Sequence, residues 1–67
     1  MNFYSVWLDN GMEYDDYTDM RYFIIAPTEE EAMLIGAKLW DDQFKCSSYN
    51  VSADLMTKSY NEISFNI

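Results

Sequence analysis

Pro27-Thr28-Glu29-Glu30-Glu31-Ala32-Met33-Leu34-Ile35-Gly36-Ala37-Lys38-Leu39-Trp40-Asp41-Asp42 is the stretch that decides the fold of this 67-residue chain. Proline removes a backbone donor and ends whatever strand precedes it. Thr28 followed three residues later by Glu31 is a capping box, in which the hydroxyl accepts the Glu31 amide and the glutamate reaches back. Glu29, Glu30 and Glu31 sit where the helix dipole favours negative charge. Ala32, Ile35, Gly36 and Leu39 then recur at i, i+3, i+4 and i+7, with Met33, Ala37 and Trp40 widening the stripe. The spacing predicts a helix from about 29 to 43 that turns Ala32, Ile35, Gly36 and Leu39 toward a sheet. Glycine in mid-helix costs up to about 1 kcal/mol relative to alanine, so Gly36 is expected where helix and sheet come close.

Upstream of the helix, residues 20 to 26 (Met-Arg-Tyr-Phe-Ile-Ile-Ala) form an apolar, β-prone run. Residues 2 to 8 (Asn-Phe-Tyr-Ser-Val-Trp-Leu) form another, with Tyr4, Val6 and Leu8 on one face and Phe3 and Trp7 on the other. Asp9-Asn10-Gly11 closes the first strand, because Asn and Gly tolerate the backbone angles of tight turns. The acidic stretch between the two runs reads either as a long loop or as strand extensions around a turn near Glu13 to Tyr17. Downstream, Tyr49, Val51 and Ala53 alternate with polar residues, as do Ile63, Phe65 and Ile67. The connection between them is too short for a crossover helix, so they read as a second hairpin. The expectation is a single α+β domain over 1–67 in the order β-β-α-β-β, with one helix on a mainly antiparallel sheet.

A chain of this length buries roughly 60% of its unfolded surface. Its core is therefore thin. Two Trp, six Tyr and four Phe supply the dense aromatic packing that small domains use in place of disulfides or metals. A homodimer is a second way to add buried area. Cys46 is the only cysteine and reads as a buried or half-buried apolar residue. With no His in the chain, an ordinary zinc site lacks ligands. No nucleophile-base pair, phosphate loop or metal-ligand spacing is present, so the chain reads as a non-enzyme that needs no cofactor. No basic-led apolar run opens it and no stretch approaches a membrane span, which predicts a cytoplasmic protein.

Four basic residues against twelve acidic ones give a formal charge of −8. Such a field repels phosphate and anionic lipid and attracts basic surfaces, so direct binding of nucleic acid or membrane is not expected. Asp9, Glu13, Asp15, Asp16 and Asp19 put five carboxylates into eleven residues, with Tyr14 and Tyr17 interleaved. The same residues read as a solvated loop or as a contact surface in which carboxylates meet Lys and Arg and rings supply rigid area. Side chains two apart on a strand stand about 6.7 Å apart. That approaches the spacing of successive phosphates. A calcium loop fails in detail, since the sixth position counted from Asp9 is Tyr14 rather than Gly and the twelfth is Met20 rather than Glu. Asp41 and Asp42 stand at the helix end, against the dipole, and either begin the following loop or extend the acidic surface. Phe3 and Trp7 pack under a loop or form an exposed patch for self-association or partner docking.

In size, charge, aromatic content and α+β order the chain resembles the small acidic proteins that phages and other mobile elements use against host nucleic-acid enzymes. These include anti-CRISPR proteins, anti-restriction DNA mimics and uracil-DNA glycosylase inhibitors. No diagnostic motif carries the resemblance, so no residue role comes with it. It implies a viral or mobile-element inhibitor, acting in the host cytoplasm, that occupies the nucleic-acid-binding site of a basic host protein. The acidic cluster and the helix end, not the resemblance, supply the expected partner-binding residues: Asp9, Glu13, Tyr14, Asp15, Asp16, Tyr17, Asp19, Asp41 and Asp42. The competing reading is a structural or adaptor module whose acidity serves solubility alone.

Overall fold

In the computed structural model, which describes residues 1–56, the first strand lies at the centre of a three-stranded antiparallel sheet. Strand β1 (Asn2–Asp9) pairs on one side with β2 (Asp19–Ala26) and on the other with β3 (Asn50–Leu55), giving the order β2-β1-β3. Helix α1 (Glu29–Phe44) connects β2 to β3 and covers one face of the sheet. The order over the described residues is β-β-α-β. The expected fourth strand, at Ile63, Phe65 and Ile67, lies outside them, and with it the second hairpin.

Alternation along β1 sends Tyr4, Val6 and Leu8 under the helix, where the last two are fully buried. Burying each such aliphatic side chain is worth roughly 1.5 to 3 kcal/mol. Ile24 and Ala26 of β2 and Ala32 and Trp40 of α1 complete the core, with Met20, Tyr22, Ala37, Phe44, Val51 and Ala53 packed around it. The Trp40 and Phe44 rings meet at 4.2 Å between centroids. Thr28 caps the helix as expected, its hydroxyl accepting the Glu31 amide at 3.2 Å. The far end closes with Lys45 in the left-handed region, its N–H donating to the Asp41 carbonyl at 2.8 Å.

The helix faces the sheet along a different line from the one its spacing suggests. Ala32, Gly36 and Trp40, at i, i+4 and i+8, are buried, whereas Ile35 and Leu39 are 40% and 41% exposed. Gly36 is the cause. A Cβ there would lie 2.7 Å from Val6 Cγ1, so the bare glycine line seats the helix directly on β1. Trp40, the largest side chain on that line, then fills the space toward the helix end. Ile35 and Leu39, about a quarter-turn to one side, rise onto the shoulder. Cys46 also departs from expectation: it is exposed, because it follows the Lys45 cap in the turn leaving the helix rather than a strand or helix face.

Candidate protein-interaction surface

The acidic stretch is a loop of residues 10 to 18 with a single 3-10 turn at Tyr14–Asp16; the strands do not extend into it. Asn10 ties it together. Its amide nitrogen donates to the Asp16 carbonyl at 2.7 Å, and its Oδ1 accepts from the Met12 and Thr18 amides, each at 3.1 Å. The Asn10 and Thr18 backbones add a further bond at 3.0 Å. Each end of the loop is thereby fixed to the other. Gly11 has φ +70°, and a Cβ on it would strike the Tyr49 ring, so both backbone conformation and space require glycine.

Asp9 is buried and serves the fold. Its carboxylate accepts from the Gly11 amide at 2.9 Å and from the Asn50 side-chain amide at 3.0 Å, while its carbonyl accepts from Tyr49 N–H at 2.7 Å. It stands directly across from Asp19 in the sheet register. Like charges so placed repel, and the amides of Gly11 and Asn50 offset the repulsion from the Asp9 side. Asp19 in turn accepts from the Trp7 indole N–H at 3.1 Å.

Glu13, Asp15 and Asp16 are exposed around Tyr14, whose side chain is 90% exposed. Tyr14 adopts φ 55°, an unusual backbone state for a bulky residue. Tyr17, closing the 3-10 turn through its N–H to the Tyr14 carbonyl, is partly covered. Loss of hydration raises its phenol pKa above the ordinary 10.0, and the carboxylates of Asp19 and Asp9 raise it further by repelling the phenolate and by accepting hydrogen bonds from the protonated hydroxyl. A group whose folded pKa is raised contributes stability that is complete below the unfolded pKa and is lost as pH rises through the folded value. The window here is alkaline. An ultraviolet titration should therefore find Tyr17 ionising late, alongside Tyr22, whose phenol pKa burial also raises; only the Tyr17 shift should be smaller in Asp19→Asn. Coincident curves for the two proteins would place the carboxylate too far away to matter.

Chain direction gathers more acids at this end. The helix runs back antiparallel to β2, so that its last turn, with exposed Asp41 and Asp42, returns to the end of the sheet where β1 meets the loop and β3 begins. Glu29, Glu30 and Glu31 lie at the opposite end. Of the nine residues expected from the sequence, eight are thus accessible at one end and Asp9 is internal. Sequence reasoning missed Asn10 as the organiser of the loop. The Asn-Gly pair marks a turn, but only the fold reveals a side chain bonding to three backbone groups.

On the sheet face away from the helix, Phe3 and Phe23 stack at 6.0 Å, and Arg21 donates to the buried Ser5 hydroxyl. Phe3 and Trp7 are half-buried there. Phe23 and Ile25 are 62% and 66% exposed. Between α1 and β3 runs an open apolar groove of about 370 Å³ lined by Met33, Leu34, Ala37 and Val51, with Glu30 at its rim. Among the described residues no cluster of three or more metal-ligating side chains occurs, and no helix is long and apolar enough to cross a membrane. No protein-family model, curated protein or solved structure matches the chain.

Proposed function

We propose that this chain is a non-catalytic inhibitor that inserts its acidic loop end into a basic, nucleic-acid-binding groove of a host protein. The observation that carries the reading is the braced loop: Asn10 holds residues 10 to 18 in one conformation, presenting exposed Tyr14 among the Glu13, Asp15 and Asp16 carboxylates. Bracing the loop backbone before binding spares part of the ordering cost that a flexible loop would incur on association. Asp19, Asp41 and Asp42 extend the negative potential at the same end, and the net charge of −8 steers a basic partner toward it. Asp9 takes no part in contact, since its oxygens are already engaged within the fold.

Replacing Asp15 and Asp16 together by Asn tests this. Both are exposed, so stability should stay within about 0.5 kcal/mol of wild type per site. Capture of a nucleic-acid-binding protein from a bacterial lysate should weaken steeply with salt and with the double substitution. Each carboxylate lost from a buried arginine would cost about 2 kcal/mol or more of affinity. Added duplex or guide nucleic acid should compete. Binding that ignores salt, substitution and competitor alike would instead favour an adaptor docking through apolar surface, a reading supported by the exposure of Phe23 and Ile25.

A further inference from the structure

Strand β2 is an edge of the sheet over the described residues. Neighbouring residues in an antiparallel strand bond to opposite sides. Asn10 N–H donates to the Thr18 carbonyl, whereas the Asp9 and Phe3 carbonyls accept from Tyr49 and Met56. Even-numbered residues of β1 therefore bond toward β2 and odd-numbered ones toward β3. Through the register Leu8↔Met20, Val6↔Tyr22 and Tyr4↔Ile24, the amides of Met20, Tyr22 and Ile24 point at β1. Those of Arg21, Phe23 and Ile25 point outward.

Proteins blunt such edges with charge, proline or bulges. Arg21 and Pro27 bound this edge, and between them, from Tyr22 to Ala26, it carries none of these. It is apolar on both sides instead. Phe23 and Ile25 stand exposed on the face away from the helix, and on the other side the half-exposed Ile35 and Leu39 share a helix line with Gln43, which accepts a hydrogen bond from Tyr22 of β2. We infer that β2 is a self-association edge, along which two copies of this chain pair antiparallel about a two-fold axis at Ile24 to form one continuous sheet.

That axis sets Phe23 opposite Ile25 of the second copy, an aromatic and β-branched cross-strand pair of the favourable kind. It also keeps the Asp19 carboxylates apart. Asp19 lies five residues before the axis, so the two Asp19 residues end up roughly 34 Å apart at 3.4 Å per residue, well beyond a Debye length of about 8 Å in physiological salt. The acidic loops then point to opposite ends of the dimer. A stable interface takes about 800 Å² from each partner. A single edge strand is a small part of such an area, so the exposed Ile35 and Leu39 of the helix shoulder are assigned to the interface with it.

Sedimentation equilibrium from micromolar to millimolar protein, paired with amide exchange at both extremes, tests the pairing. The mass should rise with concentration from the 7.9 kDa of one chain to twice that, while the Arg21, Phe23 and Ile25 amides slow in step. Phe23→Lys and Ile25→Lys each place a charge against the second copy, and should weaken association at least tenfold and return those amides to fast exchange. Both sites are exposed, so the circular dichroism should be retained; were one variant to misfold, the other and the wild-type dilution series still decide. Added salt should leave association unchanged or strengthen it, the opposite of its effect on the acidic loop, which keeps the two proposals separable. A monomer at all concentrations overturns the inference. So does a dimer in which the three amides exchange freely, or protection independent of concentration, which would mean the edge is covered within one chain.

Discussion

Trp40→Ala is expected to lower stability by about 3 to 5 kcal/mol, enough to leave much of the chain unfolded. Trp40 is 1% exposed, stands on the helix line seated against β1, and packs its ring on Phe44. At roughly 0.05 to 0.15 kcal/mol per residue, a domain of this size has about 3 to 10 kcal/mol in all. Trp40→Phe should behave quite differently. The indole N–H is buried with no hydrogen-bond partner among the described residues, and an unsatisfied buried donor costs about 1 to 3 kcal/mol. Removing it offsets much of the volume lost, so the phenylalanine variant should melt close to wild type in chemical denaturation. Leu39→Ala, at a position 41% exposed, should cost less than the alanine variant at Trp40. Equal losses at Leu39 and Trp40 would mean that the helix is rotated from the observed line.

Gly36→Val should destabilise by about 3 kcal/mol, at the upper end of ordinary overpacking. Even a single methyl at this position meets Val6 Cγ1 at 2.7 Å and Val6 Cβ at 3.3 Å, and valine adds two more carbons. Alanine is the sharper probe, because its helix propensity favours it over glycine by about 1 kcal/mol while its Cβ creates the clash. In the wild-type background the two effects oppose. Val6→Ala removes the colliding methyl groups, so Gly36→Ala should be more favourable in that background than in wild type. A denaturation double-mutant cycle should give a coupling of about 0.5 to 3 kcal/mol. Additive effects would place the helix further from β1 than 2.7 Å implies.

The strands and the helix start were legible because their signals are local. Alternation of Tyr4, Val6 and Leu8 fixes which face of β1 is dry, and Pro27 with the Thr28 cap fixes where α1 begins. The acidity of residues 9 to 19, and their lack of calcium spacing, are likewise properties of the chain itself. Which apolar line of the helix faces the sheet was not legible, because a stripe running from Ala32 to Trp40 offers several lines and the choice depends on what lies beneath. Val6 and the missing Gly36 side chain make it. The partner of β3 was equally beyond local reading: strand pairing joins residues more than forty positions apart, as at Asp9↔Asn50, and alternation names a face but not a neighbour. The same long-range pairing withdrew Asp9 from the acidic surface, since only when Asn50 and the Gly11 amide come alongside do its oxygens find partners. The return of the helix brought Asp41 and Asp42 to the end where the loop stands. Composition determined that this chain is acidic; the tertiary fold decided where its charge is gathered, because chain direction, and not sequence spacing, brings remote carboxylates to one end.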